Sequence, residues 1–564
     1  MRMTEKTPTR FLTQWWHSIK KEYKTAFVAA FVMGLLIHMP VLVSDIPNHD
    51  GLGSMYFDQN MITSGRWFLT VACGFSSYFT IPWVIGLLGL LFLALAAAAL
   101  TALLELRDTL TIILVSGLLV SFPALASTFA YVFTMDGYML ALLLAVLSVL
   151  CTKKWKSGFW PGAVCLAFSM GTYQAYLPFA ILLCIYEVLM IFMDEGLLKP
   201  GKSDRRASEK VGGVSKEKPD RKSDGKSDSS GAQGMSYMFR MLKMKLKMAL
   251  HYLYMGVLGV ILYYVLLRIL LLIQGKELAS YQGISGMEGG GSGLGLASVA
   301  HMYRDFLSFT VKGNVLFHGV YSLGAILVLG AVTIFVVFRL VLKRKWWKSL
   351  GFFVIIALAA VLIPPATNVI LLISPDVTYH LLMRYQWVLY LILPVAFVSR
   401  FSGEDSKGIL MQWGMLAAAF VIVFHYGVTD NIGYSNLQKR YEKTYAYCVR
   451  LLDRIEQTEG YYQGIPIAMV GVVGYNPFPE TDITMSVTSN MIGLNGDTLL
   501  YTGENYQVFI QNYLGATLNI MSPEEMGDIY FSPEYIEMES FPAASSVKIV
   551  DGVMYVKTEN VGRD

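Results

Sequence analysis

Charge is scarce in this chain. Of 564 residues only 15% are Asp, Glu, Lys or Arg, where a soluble globular protein carries about 25%. Apolar residues make up 54% and gather in runs long enough to cross a bilayer. This excludes a small secreted domain, a disordered chain and a coiled coil. Cysteine is scarce as well. Cys73, Cys151, Cys165, Cys184 and Cys448 lie mostly in or beside apolar runs, with no CxxC and no Cys/His cluster. Neither a disulfide framework nor a zinc site is indicated. The glycine-rich run 283–296 lacks the order of a phosphate-binding loop and reads as a flexible outer loop. A cleaved leader is not expected, because six Lys/Arg precede residue 25 and a full-length apolar run follows. The basic residues flank apolar runs, which argues against nucleic acid as a partner.

What remains is a polytopic α-helical membrane protein. About eleven transmembrane helices are expected, at 25–43, 81–104, 109–130, 137–151, 159–172, 176–193, 249–273, 317–340, 349–372, 386–399 and 409–428. With the N-terminus in the cytoplasm, the inner segments hold 31 Lys/Arg and the outer loops before residue 429 hold 5. That obeys the positive-inside rule. The expected organisation is a basic cytoplasmic N-terminus (1–24) and a first membrane half (25–198) with an outer loop at 44–66. A disordered Lys/Ser/Asp/Gly-rich cytoplasmic linker (199–234) and a second membrane half (235–428) follow. Residues 235–247 read as a basic amphipathic segment resting on the inner leaflet.

From about residue 429 the composition turns soluble and acidic, with 8 Lys/Arg against 18 Asp/Glu. Residues 436–458 have helical apolar spacing. Ile465–Val470 and Ala516–Ile520 read as strands. Ser522-Pro523 and Ser532-Pro533 read as capped helix starts, and Asp551-Gly552 as a hairpin turn between Val547–Val550 and Val553–Lys557. The expectation is a small extracytoplasmic α/β domain over 429–564.

Few titratable groups lie in or beside the membrane, and such groups are functional candidates by default. The densest set is the first outer loop: Asp45, His49, Asp50, Asp58 and Arg66. A solvated loop is the plain alternative. The closeness of Asp45 and Asp50 to the first span, and the Gly65-Arg66-Trp67 triplet opening the next apolar stretch, favour a site. Asp136 reads equally as a helix N-cap or a site residue. Tyr173 and Gln174 can hydrogen-bond hydroxyls or belong to an interfacial aromatic belt. Arg384 opens the tenth span as a site cation or a snorkelling anchor. Arg268 lies in the outer half of the seventh span. No residues indicate a cofactor or a metal.

The run NHDGLGSMYFDQNMITSGRWF after a first span resembles the bacterial GtrII-type glucosyltransferase family. Thr172-Tyr173-Gln174-Ala175-Tyr176-Leu177-Pro178 and the C-terminal FPAASSVKIVDGVMYVKT support it. The resemblance covers most of the chain outside 199–234. Some relatives carry adjacent acidic residues where this chain has His49-Asp50. The resemblance implies a GT-C-like fold and transfer of a hexose, glucose, from a polyprenyl-phosphate donor to a cell-surface glycan or polymer. A phosphate leaves without a general acid, whereas the acceptor hydroxyl must lose a proton to a base. A cation near the phosphate stabilises the developing charge. These demands assign Asp50 as base, Asp45 as second carboxylate or orienting group, and Arg66 and Arg384 as phosphate partners, with inversion at the anomeric carbon. His49, Asp58, Asp136, Tyr173 and Gln174 are secondary candidates. A lipid-linked-sugar flippase or polysaccharide transporter is the alternative reading.

Overall fold

The computed structural model describes residues 7–53, 59–74, 80–193, 229–279, 296–312, 319–374, 377–470, 485–494, 499–500 and 503–558. Asp58, the glycine-rich run through residue 295, the linker through residue 228 and the side chain of His49 lie outside the described residues. Helices dominate, as lipid requires: with no water at hand, each apolar run must satisfy its backbone within itself. Among the described residues nine helices are long and apolar enough to cross a membrane, or ten if one bent pair counts as a single span. The eleven segments expected from sequence include that pair and a fourteen-residue helix, Phe159–Thr172. That helix rises only about 21 Å, short of a ~30 Å hydrocarbon core.

The first half of the bundle is built from α2 (Lys21–Val43), α5 (Pro82–Leu104), α6 (Thr109–Ser121), α7 (Pro123–Phe129), α8 (Met135–Lys154), α9 (Phe159–Thr172) and α10 (Leu177–Met193). Short helices α1 (Pro8–Ser18), α3 (His49–Gly53) and α4 (Leu69–Ala72) lie between or before them. Helix α2 packs on α5 and α6, α5 on α8, and α8 on α9. The second half holds α11 (Ser229–Gln274), α12 (Leu296–Lys312), α13 (Val320–Arg344), α14 (Leu350–Thr367), α15 (Ile370–Ile373), α16 (Leu389–Phe401) and α17 (Ser406–Glu456).

Four differences from the sequence expectation have physical reasons. The expected span 109–130 is broken, with α6 and α7 meeting at 48°. Pro123 has no N–H for the Leu119 carbonyl, so the helix cannot continue. The open carbonyls are filled from elsewhere. The Tyr385 hydroxyl donates to the Leu119 carbonyl, and His38 Nε2 lies 2.8 Å from the Val120 carbonyl. A carbonyl only accepts, so Nε2 carries the imidazole proton. Nδ1 then accepts from the Tyr434 hydroxyl at 2.6 Å.

Second, the basic segment 235–247 does not turn away from the span that follows. Met235 to Tyr254 contains neither Gly nor Pro, and α11 runs unbroken over 46 residues. Third, the expected span 409–428 and helix 436–458 are one helix, the 51-residue α17. At 1.5 Å per residue it is about 76 Å long. Its first part packs Met415, Ala419 and Ile422 into the bundle core, and its last part packs Cys448, Leu451 and Ile455 into a second core. Fourth, α12 occupies a stretch read as outer loop.

The second core lies under a four-stranded sheet of β1 (Pro466–Val470), β2 (Asn519–Ile520), β3 (Val547–Val550) and β4 (Val553–Lys557), in the order β2-β1-β4-β3. β1 pairs parallel with β2 and β4, and β3 antiparallel with β4. The turn between β3 and β4 has positive φ at Asp551 (49°) and Gly552 (81°), as a two-residue hairpin demands. The expected strand Ala516–Ile520 contracts to Asn519–Ile520. Both expected capped starts form: Ser522 makes a capping box with Glu525, and the Ser532 side chain caps the helix starting at Pro533.

Charged groups gather at both ends of the bundle. At the end away from the sheet, Lys153 reaches Glu187 at 2.9 Å and Glu105 at 3.3 Å, and Arg400 lies 3.5 Å from Glu105. This network ties the final turns of α8 and α16 and the second half of α10 to the residue that ends α5.

The His38 bracket yields a prediction. His38→Leu removes the Val120 and Tyr434 bonds at once, leaving both groups buried. Thermal unfolding of the purified protein should show a loss of about 1–3 kcal/mol, and an unchanged melting temperature would contradict the bracket.

Candidate functional site

Helix α2 ends at Val43, and the chain then runs extended to Asn48. Asn48 is fully buried and works in two directions. Its Oδ1 accepts from the Gly51 N–H at 2.7 Å, opening α3, and its Nδ2 donates to the Ala130 carbonyl at 2.9 Å. One turn on, Leu52 is buried in the core beneath the sheet. α3 also packs against α19 (Gly503–Phe509), a helix of the C-terminal segment that follows α18 (Met485–Thr488). The loop is thus held between bundle and C-terminal segment, and Asp50 stays exposed at the mouth of a cavity of about 610 Å³.

The far wall is set by a second bracket. Residues Ile62–Ser64 form a 3₁₀ turn closed by Gly65 at φ +74°. Gln174 Nε2 donates to the Ser64 carbonyl at 3.0 Å and to the Tyr263 hydroxyl at 3.1 Å. Tyr263 donates in turn to the Gly65 carbonyl at 3.1 Å. This fixes the next residue, Arg66, whose Nη1 lies 3.1 Å from the Tyr138 hydroxyl. Its guanidinium sits 4.9 Å from the Tyr173 ring centre. Tyr138 and Tyr173 stack with ring centres 4.2 Å apart and planes nearly parallel, at 5°. Asp50, Arg66, Tyr138, Tyr173, His380, Glu504 and Asn505 all line this one cavity.

The other expected residues are distributed as follows. Asp45 lines a separate crevice of about 20 Å³ with Asn48, Pro82 and Phe133. Burial raises its carboxyl above the ordinary range, opposed by the Tyr513 hydroxyl beside it. Asp136 is not the helix N-cap, a place held by Thr134. It is buried in the first turn of α8, accepts from the Gly137 N–H at 2.9 Å and lies against the Cys73 thiol. Gln174 belongs to the bracket behind Arg66. Arg268 lies 5.8 Å from the Tyr264 ring centre.

Arg384 lies in an adjoining cavity of about 370 Å³ that shares His380 and Ile492 with the first. Its Nη1 and Nη2 meet the two Asp305 oxygens at 2.7 and 2.9 Å, and its Nε donates to the Tyr379 carbonyl at 3.0 Å. Burial, then the Arg384 cation, pull the His380 imidazole below its ordinary range.

Tyr138, His380, Asp305 and Glu504 were not singled out from sequence. Met302, Phe306 and Phe309 recur at helical spacing around Asp305, a signal that would have turned that loop into a helix. Tyr138 sits two residues past Asp136. Nothing local marks Glu504. Among the described residues, no three His, Cys, Asp or Glu side chains converge as a metal site would require.

Residues 39–200 match the family described as Glucosyl transferase GtrII. The match covers less than a third of the chain. It includes Asp50, Arg66, Tyr138 and Tyr173, and excludes Asp305, Arg384 and Glu504. The matching segment is thus similar to that of glucosyltransferases. No curated protein and no solved structure matches the chain.

The bracket behind Arg66 can be tested at Gly65. A Cβ there would sit 2.5 Å from Gln174 Nε2 and 2.6 Å from the Tyr263 hydroxyl, on a backbone with φ +74°. Gly65→Ala should therefore lower stability by about 1–3 kcal/mol in thermal unfolding. A melting temperature equal to wild type would mean the turn is not held as described.

Proposed function

We propose that this protein is a membrane glucosyltransferase that takes glucose from a polyprenyl-phosphate carrier and passes it to a surface glycan on the outer face. The observation that carries this reading is that Asp50 and Arg66, both in the segment that matches a glucosyltransferase family, line one cavity. The two groups supply what the reaction demands. The Asp50 carboxylate takes the proton of the acceptor hydroxyl as that oxygen attacks the anomeric carbon. The C–O bond to the phosphate breaks from the opposite side, so the configuration inverts. The bond's electron pair goes to the phosphate, whose charge Arg66 meets with a guanidinium pre-aimed by the Tyr138 hydroxyl and Tyr173 ring. Asp45, in its own crevice, orders the loop rather than touching the sugar.

The domain plan follows the charge pattern. The N-terminus and linker are cytoplasmic, and the sheet-bearing segment from residue 429 is outside, where Glu504 and Asn505 meet the acceptor side of the cavity. A transporter would need a path of charged groups through its spans. Asp430, buried in α17 with no hydrogen-bond partner among the described residues, is one such group and does not by itself make a path.

Two experiments test this. Purified protein given polyprenyl-phosphoglucose together with a surface-glycan acceptor should release polyprenyl phosphate and add glucose to the acceptor. Asp50→Asn, which keeps size but removes the basic oxygen, should cut turnover by about 10²–10⁴-fold with the fold intact. Arg66→Lys should raise the donor KM, because an ammonium cannot reproduce the guanidinium fork. Near-normal turnover in Asp50→Asn would remove it as base. For sidedness, in a background without native cysteines, Ser545→Cys should be labelled from outside and Ser215→Cys should not. The reverse pattern would invert every assignment of face.

A further inference from the structure

The second cavity asks for a different ligand from the first. Arg384 is held by Asp305, Tyr379 and Phe309. Besides its paired bonds to Asp305, its guanidinium lies 3.8 Å from the Tyr379 ring centre and 4.5 Å from that of Phe309. Asp305 is itself fixed by Asn368 Nδ2 at 2.9 Å, and the same nitrogen donates to the Met302 carbonyl at 3.0 Å. The pair is therefore rigid and its charges cancel. A dianionic phosphate seated here would meet a carboxylate as close as the guanidinium, and bringing a second anion to a compensated pair is unfavourable.

What the cavity offers is a neutral, two-way hydrogen-bonding surface. A guanidinium has five N–H groups, of which three are engaged by Asp305 and Tyr379. The remaining two can donate, and the carboxylate oxygens have further lone pairs to accept. Ser308, Ser489 and Asn490 line the same space and can do both. His380, neutral because of burial and Arg384, forms the shared wall. Neighbouring sugar hydroxyls, each a donor and an acceptor, match such a set. At about 370 Å³ the space falls in the range of small-molecule sites.

We infer that this Asp305–Arg384 cavity is a subsite for neutral carbohydrate that holds the acceptor, with His380 and Ile492 joining it to the Asp50 cavity. The acceptor assignment rests on the transferase reading. The carbohydrate site itself does not. Arg384, foreseen as a phosphate partner, then reads hydroxyls instead, and Arg66 carries the phosphate role alone.

The test uses full-length protein in lipid nanodiscs and saturation-transfer NMR, with methyl glucoside and maltose as neutral probes. Both should receive saturation from the protein. The signal should fall about five- to tenfold in Asn490→Ala and Ser308→Ala, two exposed positions, with melting temperatures unchanged. Equimolar inorganic phosphate should not displace the probes. Displacement by phosphate, or wild-type binding in both variants, would overturn the subsite. A non-transferable phosphonate analogue of polyprenyl-phosphoglucose should leave the probe signal in place. Its loss would put the donor's own sugar here and overturn the acceptor assignment. No donor is consumed in these measurements. If wild type fails to turn over polyprenyl-phosphoglucose while the probes still bind, the transferase reading falls and the carbohydrate site stands.

Discussion

The carbonyls of Leu119 and Val120 lose their helical donors at Pro123, deep among apolar side chains where no water can replace them. His38 from α2 and Tyr385 from the turn before α16 supply the missing bonds, and Tyr434 from α17 fixes the imidazole. One broken helix is thereby tied to three others far away in sequence. The same requirement recurs at Gly65, where Gln174 and Tyr263 close the exposed carbonyls of a left-handed turn. Where those two breaks are satisfied, the chain bends around a hollow rather than packing solid. Thr128, on the broken helix, and Arg66, after the turn, line that hollow together.

Charge is then placed economically. At one end of the bundle, Lys153, Glu187, Glu105 and Arg400 neutralise one another and bind helix ends. At the other end, the groups face two adjoining hollows with different electrical character. Arg66 leans on phenols, a hydroxyl at 3.1 Å and a ring at 4.9 Å. Arg384 leans on a carboxylate. A guanidinium locked fork-to-fork on a carboxylate, as Arg384 is on Asp305, presents hydrogen-bond directions more than charge. The proposed donor role of Arg66 and acceptor role of Arg384 follow these different surroundings, in two arginines that look alike in sequence.

Much of this was legible in the sequence where the signal is local. Asp50, Arg66 and Tyr173 stood out as polar groups beside apolar runs, and they meet in one cavity. The Asp551-Gly552 turn and the Ser522 capping box formed as their local chemistry requires. What escaped was long-range pairing. Arg384 finds Asp305 from 79 residues away, and Gln174 finds Ser64 from 110. The break at Pro123 was hidden because hydrophobicity continues across it, so the stretch read as one span. Glu504 lines the cavity beside Asp50 because Leu52, two residues after Asp50, anchors α3 in the C-terminal core.

The most direct test of the account is a structure of the full-length protein with a non-transferable phosphonate analogue of the proposed donor. The account predicts the phosphonate against Arg66, between Tyr138 and Tyr173, with the anomeric carbon open toward Asp50. A phosphonate seated on Arg384, or a sugar with Asp50 turned away from it, would contradict the central claim.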